Sequence, residues 1–361
     1  MTRARDIADL AGAADAGTVA GQSLIINGDF AVSQRGTSST SDGYQTVDRW
    51  RPASIATEQL VHTYSQSTDA PSGFSASFKV NVDTAETTLD ADDLWKFEQR
   101  IEGQNLQSLA KGTSDAKALT VSFWVKSNTT GTYICELDDR DNTRAYSQAY
   151  TIDNADTWEY KTLTYAGDTT GTLDNDNDQS FRLVFILAAG NNYTSGTLTT
   201  GWATRVDANR YVGQENLMAA DDNNWFITGV KLEVGDTATP FQHESYGENL
   251  AKCQRYYQQY TNPMIRGVCS SSNGASRVGM QLPVIMRSAP SVTITQTGST
   301  SHFRMFDGVV TTTYSSTNVS YLFKDKIEFD FITSSGLTAG RAGILYSDTN
   351  YQSSFAISAE L

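Results

Sequence analysis

Three groups of residues carry side chains whose types and spacing suggest chemistry. The run DNDND sets Asp174, Asp176 and Asp178 at i, i+2 and i+4, a cadence that can present carboxylates to a calcium ion. An EF-hand loop also needs glycine at its sixth place and glutamate at its twelfth, where this chain has Gln179 and Phe185. An Asx-rich turn between strands is therefore expected there, with no metal. Carboxylates are also dense in Glu136, Asp138, Asp139 and Asp141. Two carboxylates suffice for glycoside hydrolysis, but sequence spacing does not report their separation in space, and a solvated loop has the same composition. The chain has three histidines, His62, His243 and His302, and neither G-x-S-x-G nor HExxH. Ser-His and Cys-His catalysis thus find no support. No catalytic residue and no cofactor is assigned.

The third group is aromatic. A sugar is held by flat apolar faces against which its C–H groups stack, flanked by polar side chains that take the hydroxyls. Tyr146, Tyr150, Tyr193, Trp202 and Tyr211 fall in or near loop-like segments, with Arg140, Asn191 and Asn192 close in sequence. These eight are the glycan-binding candidates. The alternative for each tyrosine is that it caps a sandwich edge or a subunit contact. Trp50, Trp124 and Trp158 read as core residues. Tyr314, Tyr321, Tyr346 and Tyr351 lie among Ser, Thr and Asn, a composition typical of adaptable recognition surfaces.

The elements that must position these residues read as strands. At 361 residues the chain suits two domains and a short appendage. Hydrophobic residues make up 39% and charged residues 19%, which favours an all-β globular protein with many turns over disorder. In LTVSFWVKS, Leu119, Val121, Phe123 and Val125 alternate with Thr120, Ser122 and Lys126, the period of two that puts one face on a core. Trp124 interrupts the polar face. SFRLVFILA is apolar on both faces, with Val184 and Ile186 opposite Phe181, Leu183, Phe185 and Leu187, so it is central in its sheet or covered by a neighbouring subunit. The series with its long polar loops argues for a jelly-roll sandwich over 23–243. Ser245 and Glu248 then form an S-x-x-E capping box opening a linker helix over 244–261. A second, sandwich-like β domain follows over 262–361. Residues 1–22 form an arm in which Ile7, Leu10, Ala11 and Ala14 make a short helical stripe, and that stripe is ordered only when docked.

The formal net charge of −14 repels phosphate backbones and anionic bilayers, so nucleic acid is not an expected partner. No window approaches the roughly 20 apolar residues of a membrane span, and the first residues lack the apolar core of a signal peptide. Cys135, Cys253 and Cys269 show no zinc or redox spacing and read as reduced core thiols.

Taken in order, LIINGDFAVSQRG, TVDRW, SFWVKS, TWEYKTLTYAGDTTGTL, SFRLVFILAAGNNYTSG, NNWFITGVKLEVGDTATPFQHESYGENLAKCQRYYQQY and LPVIMRSAP resemble a group of bacteriophage tail-fibre proteins frequent in marine and environmental phages. The run ending in CQRYY is the most specific element. The resemblance implies a virion tail protein, made in the host cytoplasm, with a jelly roll similar to carbohydrate-binding modules and a C-terminal β domain, assembled as a homotrimer. It implies attachment to other tail proteins through the arm at Ile7, Leu10, Ala11 and Ala14, and adsorption to a host cell-surface polysaccharide. Leu250, Cys253, Tyr257 and Tyr260 follow one another at spacings of three, four and three, so the helix either packs this seam around a three-fold axis or lies on its own sandwich. Many such jelly rolls hold a structural calcium. Here Ala31 replaces the glutamate beside Asp29, and Thr228 and Gly229 stand where an acidic pair would sit. Two other functions remain open at this point: a purely structural virion component of the baseplate, collar or head, and a polysaccharide-cleaving enzyme.

Overall fold

The computed structural model describes residues 21–56, 62–271, 274–296, 303–309, 311–333, 336–347 and 353–361. The arm residues Ile7, Leu10, Ala11 and Ala14 lie outside them. The chain divides into two compact units, one running up to Asn249 and including Leu361, the other spanning Leu250–Glu360.

The first unit is a two-sheet sandwich. Its strands are β1 (Ser38–Ser39), β2 (Trp50–Ile55), β3 (His62–Ser67), β4 (Ser77–Val82), β5 (Leu94–Glu102), β6 (Leu119–Ser127), β7 (Gly131–Asp139), β8 (Arg144–Ile152), β9 (Glu159–Tyr165), β10 (Gln179–Ala189), β11 (Ala203–Thr204) and β12 (Asn224–Val234). They pair in the orders β1-β3-β4-β12-β6-β9 and β11-β8-β7-β10-β5-β2, here the first and second sheets. Every pairing is antiparallel. Between the sheets lies one core that includes Phe30, Trp50, Phe78, Phe97, Phe123, Phe185 and Trp225. Trp50, Phe78 and Phe97 stack with centroids 4.1–4.8 Å apart, geometry that adds to their area burial.

The two-sided strand β10 has a simple explanation. It lies between β7 and β5 in the middle of the second sheet, with Phe181, Leu183, Phe185 and Leu187 in the main core. On its outer side Val184 and Ile186 join a small cluster with Leu94, Ile134 and Tyr211, against which Tyr193 and Leu198 pack. A loop of the same chain, carrying the short helix α1 (Asn191–Thr194), thus covers the outer face. No neighbouring subunit is required.

His62 in β3 is buried, edge-on to Trp95. Neither ring nitrogen has a hydrogen-bond partner among the described residues. Burial pushes its pKa below the ordinary histidine value, outweighing the opposing pull of Asp42 and Asp83. The unfolded chain therefore takes up a proton that the folded protein refuses, and stability falls as pH drops through about 6.5. Thermal unfolding measured from pH 7.5 to 5 is expected to show a loss that His62→Leu reduces.

All three cysteines are buried and none is in a disulfide. Burial pushes the Cys135 thiol up to about 12.

The capping box forms as the sequence indicates. The Glu248 backbone N–H donates to Ser245 Oγ (3.3 Å), and Glu248 Oε2 accepts from the Ser245 backbone N–H (3.1 Å) and hydroxyl (2.7 Å). Ser245→Ala is expected to cost about 1 kcal/mol in denaturant unfolding. The helix it opens, α2 (Tyr246–Gln254), is shorter than expected. After a two-residue turn, the chain enters β13 (Tyr257–Thr261). Tyrosine, glutamine and threonine gain more here from an antiparallel partner than from another helical turn. Leu250 and Cys253 therefore lie on the helix, but Tyr257 and Tyr260 lie on a strand, opposite Ser358 and Phe355. The four residues do not make one helical seam.

The second unit continues with β14 (Ile265–Ser271), β15 (Gly274–Gln281), β16 (Ser291–Gln296), β17 (Phe303–Phe306), β18 (Thr311–Leu322), β19 (Lys326–Thr333), β20 (Ala342–Ser347) and β21 (Ser353–Ser358). The sheet β13-β21-β16 accompanies a closed barrel, β14-β15-β19-β18-β17-β20. Closure removes the exposed edges that an open sheet would present. Its core includes Cys269, Phe303, Met305, Phe329, Phe331 and Leu345. Tyr321 and Phe323 stack on the surface, about half exposed. Tyr346 is half-buried, and Tyr351 lies outside the described residues.

Candidate functional site: an aromatic cleft on the first sheet

On β6, alternation sends Leu119, Val121, Phe123 and Val125 into the core and leaves Trp124 on the outer face. Register places Trp124 directly opposite Tyr160 of the edge strand β9 and opposite Thr228 of β12. The two rings meet at 5.4 Å between centroids, and Tyr160 is 46% exposed. Facing them is a second aromatic group built on loops. Phe74, at the end of a turn closed by its N–H to Pro71 O, packs against Phe241 (5.2 Å) and His243 (4.9 Å), which also touch each other (5.0 Å). Together these five rings line an open cleft of about 430 Å³.

Gly229 forms the floor between the two groups. It sits at a register shift of β12 with φ +62°, the left-handed region that glycine enters at no steric cost. A Cβ there would lie 2.6 Å from the Phe74 ring. Gly229→Ala is therefore expected to displace Phe74 from the cleft wall and to cost about 1 kcal/mol or more of stability, readable in denaturant unfolding, because alanine is strained at this φ.

Two residues farther along the same strands, about 7 Å away, lies a second row. Lys126 covers the Phe226 ring at 4.4 Å and Trp158 at 5.4 Å, and Lys79 covers Phe226 at 5.5 Å. Lys126 also pairs with Asp69, which accepts from Trp158 Nε1 at 3.1 Å. The hydrogen bond from Lys126 holds the Asp69 carboxyl below its ordinary pKa. Trp158 and Trp124 are thus half-buried surface residues, not the core residues their type suggests, while Trp50 is core. The signal was present: Trp124 is the apolar interruption of an otherwise polar face.

The glycan candidates named from the sequence scatter. Tyr146 and Tyr150 share the inward face of β8 with Ile152 and are buried in the inter-sheet core. Trp202 packs on that core, edge to face with Tyr146, and donates from Nε1 to Ala166 O. Tyr211 is fully buried, with its hydroxyl on Glu136 Oε1 at 3.2 Å. None of these three tyrosines offers a ring face to a ligand. Their strand period of two, or the apolar cover over β10, takes them inside. Asn191 and Asn192 are exposed and Tyr193 half-buried on α1, and Arg140 is half-buried beyond β7; all four belong to segments at the outer side of the second sheet.

That outer side carries a charged network. Glu98, fully buried, takes Arg51 (2.9 Å), Lys96 (2.8 Å), Arg100 (3.0 Å) and Arg182 (3.4 Å). Burial alone would raise its pKa, but the charges of Lys96 and Arg182 outweigh that and hold it at about 2. Glu98 is therefore a fixed anion at neutral pH and has no proton to donate. The DNDND run makes the expected Asx turn, with the Asp178 N–H donating to Asp176 Oδ1 at 2.9 Å. No helix among the described residues is long and apolar enough to cross a membrane.

No protein-family model matches this chain, and no curated protein does. Among solved structures, the chain is similar to the enzymatically active domain of bacteriophage CBA120 tailspike protein 4, with TM-score 0.32 and 14% identity over 59% of this chain and 21% of that one. The chain thus spans about a fifth of that domain's length. It is also similar to the family 11 carbohydrate-binding module of Clostridium thermocellum in complex with a β-1,3-1,4-mixed-linked tetrasaccharide, with TM-score 0.29 and 14% identity over 56% of this chain and 98% of the module. A third is the module TmCBM61 in complex with β-1,4-galactotriose, with TM-score 0.32 and 9% identity over 59% of this chain and 99% of the module.

Proposed function

We propose that this protein binds a glycan noncovalently in the aromatic cleft of its sandwich, and does so as a bacteriophage tail-fibre subunit that adsorbs to a host cell-surface polysaccharide. The observation that carries the binding is the pairing of Trp124 and Tyr160 across one wall with Phe74, Phe241 and His243 across the other. Rings exposed on one side and fixed by packing on the other are what the C–H face of a pyranose needs, and they lose little entropy on binding. In this proposal the tail fibre is a homotrimer joined to other tail proteins through its N-terminal arm, and it resides in the virion. Its action is recognition, with no bond made or broken.

Fluorescently labelled protein is expected to bind host cells saturably, and periodate oxidation of surface sugars to abolish that binding. Binding that survives oxidation would exclude a glycan receptor. Absence of binding to untreated hosts by folded protein would favour a purely structural place in the virion.

A further inference from the structure

The outer face of the second sheet is cationic, in a chain whose net charge is −14. Besides the four cations around Glu98, Asp138 is approached by Arg140 (3.5 Å), Arg182 (3.9 Å) and Arg205 (3.2 Å). Glu136 is held by Arg210, with Ser147 Oγ and Tyr211 completing its shell. Seven cations thus surround three carboxylates. The two kinds of charge are also layered: the side chains of Glu98, Glu136 and Asp138 are at most 1% exposed, while those of the arginines run from 12% for Arg210 to 34% for Arg140. Of these ten side chains, the ones that meet water are the cations; the exposed carboxylate Asp207 pairs with Arg210 at 3.3 Å. Register further sets Arg100 directly opposite Arg182, a like-charge pair that costs stability in a bare sheet. Arg182 Nε is buried 3.9 Å from Asp138 and makes no hydrogen bond, and Arg100 Nη1 donates to Leu361 O at 2.5 Å; the partly exposed guanidiniums of Arg140, Arg205 and Arg51 are what this face offers a ligand.

We propose that this face is a second binding site, distinct from the aromatic cleft, and that it takes a carboxylated oligosaccharide. The ligand class rests on the glycan-binding function proposed above; the site does not. A guanidinium matches a carboxylate with two parallel hydrogen bonds. The arginines are distributed from β2 to β11, five strand spacings or roughly 24 Å across the sheet, enough for several sugar units. A polyanion longer than this strip of roughly 24 Å is disfavoured, because its further charges come within a Debye length, about 10 Å at 0.1 M salt, of the negative remainder of the molecule. A short uronate chain meets only the cationic strip.

The test is titration calorimetry of the full-length protein with tetragalacturonate at low ionic strength, using the fully methyl-esterified tetramer as the uncharged counterpart. Saturable binding of the acid is expected, lost on esterification and weakened at least ten-fold in an Arg140→Gln/Arg205→Gln variant. These two side chains are the most exposed of the arginines around Asp138, and an unchanged melting temperature would show that the variant folds. Trp124→Ala should leave this binding intact. Failure of the acid to bind, or binding that survives esterification or the double substitution, would overturn the proposal. Loss of binding in Trp124→Ala would place the acid in the cleft and overturn it too, while supporting the function proposed for the cleft. Equal binding of inorganic tripolyphosphate would make charge the sole determinant and overturn the assignment to a sugar.

Discussion

Replacing Trp124 with alanine is expected to weaken glycan binding by roughly ten- to one-hundred-fold, with no change in melting temperature beyond a few degrees. The magnitude follows from a large apolar surface covered by the ligand, about 1.5–3 kcal/mol for a fully buried aromatic side chain. The sparing of stability follows from position. Trp124 is a half-buried outer-face residue whose neighbours on the same strand, Phe123 and Val125, carry the core contacts. Tyr160→Ala should act in the same direction with a smaller effect, because Tyr160 lies on the edge strand and is already 46% exposed. Binding measured against host polysaccharide, together with a melting curve for each variant, separates loss of the wall from loss of the fold.

The second large effect concerns stability. Glu98→Gln is expected to destabilise the sandwich by about 3–5 kcal/mol, the usual cost of removing one partner from a buried charge network and leaving the others uncompensated. Four cations converge on Glu98, and glutamine keeps the shape while withdrawing the charge. The sign with pH is fixed by the direction of the shift. Glu98 is held at about 2 in the fold, below its unfolded value, so its contribution is fully present above about pH 4.5 and is lost as pH falls towards 2. Denaturant unfolding of the wild type should therefore show an acid limb in that window, and the variant should start lower and show a shallower one. Equal acid limbs in the two proteins would contradict the role given to the network.

Much of the fold was legible. The period of two in β6 and β10, the capping box at Ser245 and Glu248 and the turn at Asp176 all act through local geometry, which spacing reports. What spacing does not report is which partner a residue finds. The run RYYQQYT continues a helical spacing from Leu250 and Cys253, yet pairing with β21 turns Tyr257 and Tyr260 into strand residues. Closure of the C-terminal strands into a barrel is a matter of the same kind. The site was less legible than the fold. Tyr146 and Tyr150 sat near turn-rich sequence, but their even-numbered places on β8 point them inward with Ile152. The cleft draws Phe74, Trp124, Tyr160, Phe241 and His243 from four separate segments of the chain, brought together by the β6–β9 register and the chain beyond β12. Trp124 alone gave itself away, as an indole on a face of threonine, serine and lysine.

The most direct test is equilibrium binding of the purified protein to immobilised polysaccharide extracted from the host surface, comparing wild type with the Trp124→Ala/Tyr160→Ala variant at matched fold. The account predicts saturable binding by the wild type and at least a hundred-fold loss in the variant. Equal affinity of the two proteins would contradict it, because the rings that define the cleft would then play no part in holding the sugar.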